Sequence, residues 1–167
     1  TRQGIIQKIL EVGDALGVKT KAEKVAAKIN AELMDAERKS NQYSGKRKKV
    51  LFILSTRGGK ILASGTNTAA DGIIKMAGAI NAINSFNGYK PLSDEAVTVA
   101  APDVILMMDR RGDHGSGDEE LFSMPSISTT PAAETKSLIR MNGLYLLGFG
   151  PRTASAINEL RKELYSD

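Results

Sequence analysis

The apolar positions of this chain fall into two textures. In residues 2–16, Ile5, Ile6, Ile9, Leu10, Val12 and Leu16 recur close to an i, i+3, i+4 pattern. That spacing predicts an amphipathic helix, and Gly17 stands where a helix usually ends. Thr20-Lys21-Ala22-Glu23 then reads as a capping box opening a second helix. Val25, Ile29 and Leu33 form one stripe along it to about residue 39. At 1.5 Å per residue that helix is roughly 28 Å long, more than a small domain needs. A helical hairpin packed on the rest and a rigid spacer both fit it.

The texture changes at Val50. Val50-Leu51-Phe52-Ile53-Leu54 is a continuous apolar run, as in a parallel strand covered on both faces. A turn through Ser55-Thr56-Arg57-Gly58-Gly59-Lys60 leads to a short strand at 61–64. Thr68 and Asp71 can cap a helix reaching about residue 79, and Ser93 caps a short one to about residue 100. Val104-Ile105-Leu106-Met107-Met108 predicts a second buried strand, followed by a polar, glycine-rich loop over 109–117. A short helix is expected around 119–123, and Pro125 and Pro131 are expected in a loop. Residues 137–141 and 144–147 read as two strands joined by an Asn142-Gly143 hairpin turn. Pro151 suits the first turn of a last helix, with Ala154, Ile157, Leu160 and Leu164 on one face. Strands alternating with helices predict an α/β fold: a three-layer α/β/α lobe around a mixed, partly parallel sheet.

Composition narrows the chemistry. The chain has 167 residues, 23 Lys+Arg against 19 Asp+Glu, one histidine and no cysteine or tryptophan. Thiolate metal sites, disulfides, iron–sulfur clusters and cysteine nucleophiles are therefore excluded, as is a multi-histidine metal site. No apolar run approaches the ~20 residues of a membrane-spanning helix. The net charge of +4 is mild for a nucleic-acid binder. Lys46-Arg47-Lys48-Lys49 has no aromatics interleaved, and solvated charge at a strand start is its plainer reading.

Enzyme templates do not fit. There is no phosphate-binding G-x-x-x-x-G-K-[ST], Gly148-x-Gly150 lacks a third glycine, and there is no G-x-S-x-G. His114 with Asp109, Asp113 and Ser116 has the residue types of a triad but lies in one loop, whereas a triad needs rigid mutual placement. The more telling pattern is positional, because open α/β sheets bind ligands beyond the carboxyl ends of their strands. Thr56 and Arg57 follow the first strand, and Asp109, Arg110 and Arg111 the second. Gly148, Phe149, Gly150 and Arg152 follow the last, and the 65–68 turn opens a helix. Hydroxyls, guanidiniums and an aromatic at one edge suit an anionic, partly apolar ligand.

The same segments carry a family resemblance. Phe52-Ile53-Leu54-Ser55-Thr56-Arg57-Gly58-Gly59, Ala63-Ser64-Gly65-Thr66-Asn67-Thr68-Ala69-Ala70-Asp71, Gly88-Tyr89-Lys90-Pro91-Leu92-Ser93-Asp94-Glu95-Ala96, Pro102-Asp103-Val104-Ile105-Leu106-Met107-Met108-Asp109-Arg110 and Gly148-Phe149-Gly150-Pro151-Arg152-Thr153 resemble the C-terminal lobe of bacterial periplasmic haem-binding proteins. Those proteins deliver haem to the permease of an ABC importer. The resemblance implies two α/β lobes joined by one long helix, with haem in the cleft between them. Residues 1–42 would form the helical region, its connector at about 20–40, and residues 43–167 the C-terminal lobe. The first lobe, with the axial tyrosine, would precede Thr1. None of Tyr43, Tyr89, Tyr145 and Tyr165 matches that tyrosine's motif.

Arg110 is the residue carried over as facing haem, with Arg57, Thr56, Arg111 and Phe149 along the cleft edge. His114 is the weaker iron-ligand candidate. Glu95 or Asp94 would present an acidic contact to the permease. The resemblance further implies a periplasmic location, no catalysis, no nucleic-acid partner and an outer-membrane haem receptor upstream. An iron–siderophore or corrinoid carrier of the same fold remains an alternative, as does a small α/β enzyme or nucleic-acid-binding domain of another class.

Overall fold

The computed structural model describes residues 1–109 and 118–165. Helix α1 spans Arg2–Ala15, capped by the Thr1 hydroxyl, which accepts the Gly4 N–H at 3.2 Å. Helix α2 spans Lys19–Asn41, 23 residues and therefore about 34 Å long. It starts before the predicted capping box: Val18 is its N-cap, without a side-chain bond, and Thr20 already lies inside the helix. The turn between the helices decides this. Gly17 takes a left-handed φ of +67°, and the Val18 N–H donates to the Gly13 carbonyl at 2.9 Å. Gly13 and Ala22 also touch closely; a Cβ on Gly13 would lie 2.0 Å from that of Ala22. Ala22, Ala26, Ile29, Leu33, Ala36 and Ser40 form the buried stripe of α2.

The remaining elements follow in order: β1 (Lys49–Ser55), a single tight turn over Arg57–Gly59, β2 (Leu62–Ser64), α3 (Ala69–Met76), β3 (Ile80–Asn81), β4 (Tyr89–Pro91), α4 (Asp94–Ala100) and β5 (Val104–Asp109). Then come α5 (Asp118–Ser123), α6 (Pro125–Ser128), α7 (Pro131–Glu134), β6 (Leu138–Asn142), α8 (Gly143–Leu147) and α9 (Thr153–Tyr165). The sheet order is β4-β2-β1-β5-β6, with β3 paired to the start of β1. Strands β3, β5 and β6 extend a parallel sheet from β1, while β2 runs antiparallel to both β1 and β4.

The apolar run of β1 is continuous because both faces of the sheet are covered. Val50 and Phe52 join Leu33, Ile73, Leu106, Ile157 and Leu160 on the α2/α3/α9 side. Leu51 and Ile53 join Ile105, Val97, Ile127 and Ala132 on the α4–α7 side. This is the expected three-layer α/β/α arrangement with a mixed, partly parallel sheet.

Three local expectations are corrected. Residues 144–147 are not a strand but α8. A strand would turn Leu144 and Leu146 to the same face, yet Leu144 is 81% exposed and Leu146 fully buried. Asn142 acts as helix cap rather than hairpin corner, its Oδ1 accepting the Tyr145 N–H at 3.1 Å. Pro125 and Pro131 do not sit in plain loop; each starts a one-turn helix, where a missing N–H costs nothing. Helix α3 ends at Met76, short of residue 79, and Gly78 at φ +83° turns the chain into β3.

Candidate ligand-binding edge

Register fixes what stands at the carboxyl end of the parallel strands. Ile53 pairs with Met107, and Asp109 pairs with Asn142. Two residues along the ladder, Ser55, Asp109 and Asn142 therefore share one row. Thr56 and Arg57 rise beyond that row on one side, and Gly143 and Leu144 on the other. Adjacent strands lie about 4.8 Å apart, so β1 and β6 are separated by about 10 Å.

Each end is shaped by local backbone chemistry. After β1, the Arg57 N–H donates to the Ser55 Oγ at 3.2 Å, and the Gly59 N–H closes onto the Thr56 carbonyl at 3.2 Å. Gly58 and Gly59 take φ of +65° and +71°, a conformation that favours glycine, and so present Arg57 exposed on a tight turn. Thr56 is half-buried beneath it. After β6, Gly143 lets α8 start directly over β5, since a Cβ there would lie 2.8 Å from the Met108 Sδ. Asp109 is exposed between the two.

Phe149 is not placed with this row. It follows a helix rather than a strand, its backbone at φ +45°, and its ring packs on α3, 3.4 Å from where a Gly72 Cβ would be. The 65–68 turn also lies elsewhere. Because β2 is antiparallel to β1, the chain beyond Ser64 heads back along β1. The Gly65 carbonyl accepts the Asn81 Nδ2 at 3.1 Å, and Asn81 pairs with Val50 at the start of β1. Arg110, Arg111 and His114 lie outside the described residues.

Arg152 is exposed, its guanidinium 5.7 Å from the centre of the Tyr145 ring. Burial, then the Glu159 carboxylate, pushes the Tyr145 hydroxyl above the usual tyrosine range. Tyr165 is likewise raised by burial; its hydroxyl donates to the Gly78 carbonyl at 3.0 Å near the opposite end of the sheet, with the Tyr43 ring 4.1 Å away. Among the described residues no cluster of three His, Asp or Glu could hold a metal ion.

The acidic pair Asp94 and Glu95 is exposed in the first turn of α4, where Ser93 Oγ accepts the Ala96 N–H at 3.2 Å. The Glu95 carboxyl is held below its usual range by its own backbone N–H and by Ser93. The Leu92 N–H donates to the Ile61 carbonyl, and Leu62 pairs with both Pro91 and Ser55. The acidic pair therefore stands at the same end of the sheet as Thr56 and Arg57. The basic run is at the other end. The Lys49 N–H donates to Asp103 Oδ2 at 2.8 Å, its ammonium to the Ala100 carbonyl at 3.4 Å, and Lys46 faces Asp103 at 4.0 Å.

A buried polar knot, only partly legible in the sequence, holds the start of α3. Asp71 Oδ1 accepts the Asn81 Nδ2 at 3.0 Å, and Oδ2 accepts the Asn67 N–H at 3.2 Å and the Lys75 ammonium at 2.8 Å. Thr68 caps α3 through the Asp71 N–H at 2.9 Å and also contacts the Ser64 hydroxyl. Burial raises the Asp71 pKa, but Lys75 and Asn81 outweigh it and hold the carboxyl below its ordinary value. The capping pattern Thr68–Asp71 was the legible half of this knot; Asn81, ten residues on, carried no local signal.

Known proteins share this architecture. The family model described as periplasmic binding protein matches residues 1–143. Among curated proteins, the uncharacterized ABC transporter substrate-binding lipoprotein YvrC of Bacillus subtilis (strain 168) is 23% identical over 163 residues, covering 98% of this chain and 50% of its own length. Among solved structures, the periplasmic heme-binding protein BhuT in complex with two hemes superposes with a TM-score of 0.92 at 33% identity, covering 98% of this chain and 62% of that one. The periplasmic heme-binding protein RhuT from Roseiflexus sp. RS-1, in its apo form, gives a TM-score of 0.89 at 36% identity, covering 96% and 61%. The chain thus spans half the length of the curated relative it matches. With its sheet, its long helix and the family model agreeing over residues 1–143, the chain belongs to the periplasmic binding protein family.

Proposed function

We propose that this chain provides one lobe and the connecting helix of the substrate-binding component of an ABC-type importer, and that its cargo is haem. The observation that carries this reading is the superposition over 98% of the chain, at 33% identity, on a protein solved with two hemes. The strand-end row supports it. A haem offers flat apolar faces and carboxylates on one side, and the row offers the Arg57 guanidinium, the Thr56 hydroxyl and the Leu144 side chain.

In this reading the lobe binds and hands over its cargo without catalysis, in the periplasm. Asp94 and Glu95, beside the cargo edge, meet basic groups of the permease. Arg110, which directly follows β5 in sequence, joins Arg57 as an anion contact. The long α2 sets the spacing between this lobe and its partner lobe, so that residues 1–42 act as strut and 43–167 as binding lobe.

The test is a titration of hemin into the protein expressed from its complete reading frame, followed by visible absorbance, with a ferric hydroxamate and a corrinoid as competitors. Saturable hemin binding that resists both competitors is expected, weakened at least fivefold by Arg57→Ala and by Arg110→Ala. Binding of the hydroxamate or corrinoid with no saturable hemin signal would replace the cargo assignment while leaving the transport assignment in place.

A further inference from the structure

We infer that Leu144 is the apolar platform on which a planar ligand rests, and that it sets this lobe's preference for a flat, apolar cargo. The inference rests on the reading of the strand-end row as the cargo site and names a residue of that site. Single exposed leucines are ordinary on protein surfaces. Leu144 differs in its place and in how firmly it is held there.

It is 81% exposed, and it stands two residues beyond Asn142, which shares its row with Ser55 and Asp109. At this end of the sheet the described residues Thr56, Arg57, Asp109 and Asn142 are polar. The surrounding backbone leaves it no freedom to turn inward. Asn142 caps the helix through the Tyr145 N–H, Leu146 is fully buried two residues on, and the Leu144 carbonyl accepts the Gly148 N–H at 3.1 Å. Gly148 is needed for that closure, since a Cβ there would come within 2.4 Å of the Leu144 oxygen. An apolar side chain fixed outward in advance loses little entropy when a ligand covers it. Arg57 follows β1 and Leu144 follows β6, strands that lie about 10 Å apart across the sheet. The pair therefore recognises a ligand that is flat and apolar on one part and anionic on another, and disfavours a compact polar iron chelate.

The test compares two equally exposed apolar residues at opposite ends of the sheet. Leu144→Asp puts a charge under the ligand face without opposing the fold, because an acidic residue in the first turn of a helix is favoured. Val99→Asp is the control: Val99 is 82% exposed, on α4 next to Ala100, whose carbonyl meets Lys49 at the far end. Hemin titrations of the protein from its complete reading frame should show affinity lowered about tenfold or more in Leu144→Asp. Leu144→Phe and Val99→Asp should stay within about twofold of the parent. Unchanged affinity in Leu144→Asp overturns the inference and leaves the cargo reading intact. So does an equal loss in Val99→Asp, or a Leu144→Phe variant as weak as Leu144→Asp. Absence of hemin binding in the parent protein defeats the cargo reading itself and is distinguishable from all three.

Discussion

Replacing Asp71 by Asn would test whether the buried knot at the start of α3 holds the lobe together. The carboxylate accepts from three donors on two oxygens: Asn81 Nδ2 on one, the Asn67 N–H and the Lys75 ammonium on the other. An amide offers only one acceptor oxygen. Whichever way it is turned, its NH2 faces either the Asn81 amide or the Asn67 N–H, a donor against a donor. Lys75 contributes little to the cost, because its side chain is 58% exposed and water replaces the lost partner. The loss is therefore about one buried, charge-assisted hydrogen bond plus one donor left unsatisfied, about 2–3 kcal/mol. For a chain of this length that corresponds to a melting temperature lower by roughly 4–12 °C.

The pH dependence sharpens the test. The folded carboxyl titrates below its ordinary value, whereas an unfolded aspartate titrates near about 3.9. Its stabilisation is thus fully present above the unfolded value and is lost as pH falls through the lower, folded one. Urea unfolding followed by circular dichroism at pH 7, 5, 4 and 3 should show a parent-to-variant gap that is constant down to about pH 5 and narrows below about pH 4. A gap under about 0.5 kcal/mol at pH 7, or one unchanged at pH 3, would refute the account of the knot.

The remaining predictions concern packing. Gly13→Ala forces a Cβ to within 2.0 Å of the Ala22 Cβ, so α1 must lift from α2. The expected cost is about 1–3 kcal/mol, with faster amide exchange confined to α1; an unshifted melting curve would contradict the close approach. Tyr165→Phe removes the bonds to the Gly78 carbonyl and Lys48 N–H and should cost about 1 kcal/mol in denaturant unfolding. The ring stack with Tyr43 survives that change, so a loss above about 3 kcal/mol would show that the hydroxyl does more than these two bonds. Phe149→Ala keeps the left-handed backbone but deletes the ring packed on Gly72. It should destabilise by about 2–3 kcal/mol; a variant of unchanged stability that loses only hemin affinity would return Phe149 to the cargo edge.

The parts that were legible in the sequence are those where one local signal met no competitor. The runs at 50–54 and 104–108 could only be strands with both faces covered, and β1 and β5 are the centre of the sheet. Thr68 and Ser93 announced their helices through hydroxyls that do accept the third N–H onward. Where a signal had two meanings, tertiary packing chose. Asn142-Gly143 suits a hairpin corner, but the same asparagine caps a helix, and the burial of Leu146 selects the helix. That one choice hid Leu144 from the sequence reading. Strands β3 and β4, two and three residues long, carry no periodicity to read; β3 exists because β1 offers it a partner edge. Nothing local fixes the direction of β2, so the sequence groups the 65–68 turn with the strand ends, and the antiparallel pairing of β2 with β1 sends it the other way.

The two ends of the sheet differ in how their polar groups are held. At the amino end, Lys46 and Lys49 share Asp103, Lys49 also meets the last carbonyl of α4, and Tyr165 bridges Lys48 and Gly78. The backbone N–H groups of Lys48 and Lys49 are thus tied into the fold, while the Lys46 ammonium stays largely exposed. At the carboxyl end, the side chains of Arg57 and Asp109 form no ion pair among the described residues, and Leu144 covers nothing. A folded chain gains nothing in stability from an unpaired guanidinium and an uncovered leucine held on rigid turns. Both are solvated by water at little cost, and a carboxylate-bearing planar ligand could replace that water on each. Arg57→Ala and Leu144→Asp should accordingly leave the melting temperature unchanged within about 2 °C, since neither side chain contributes to the fold.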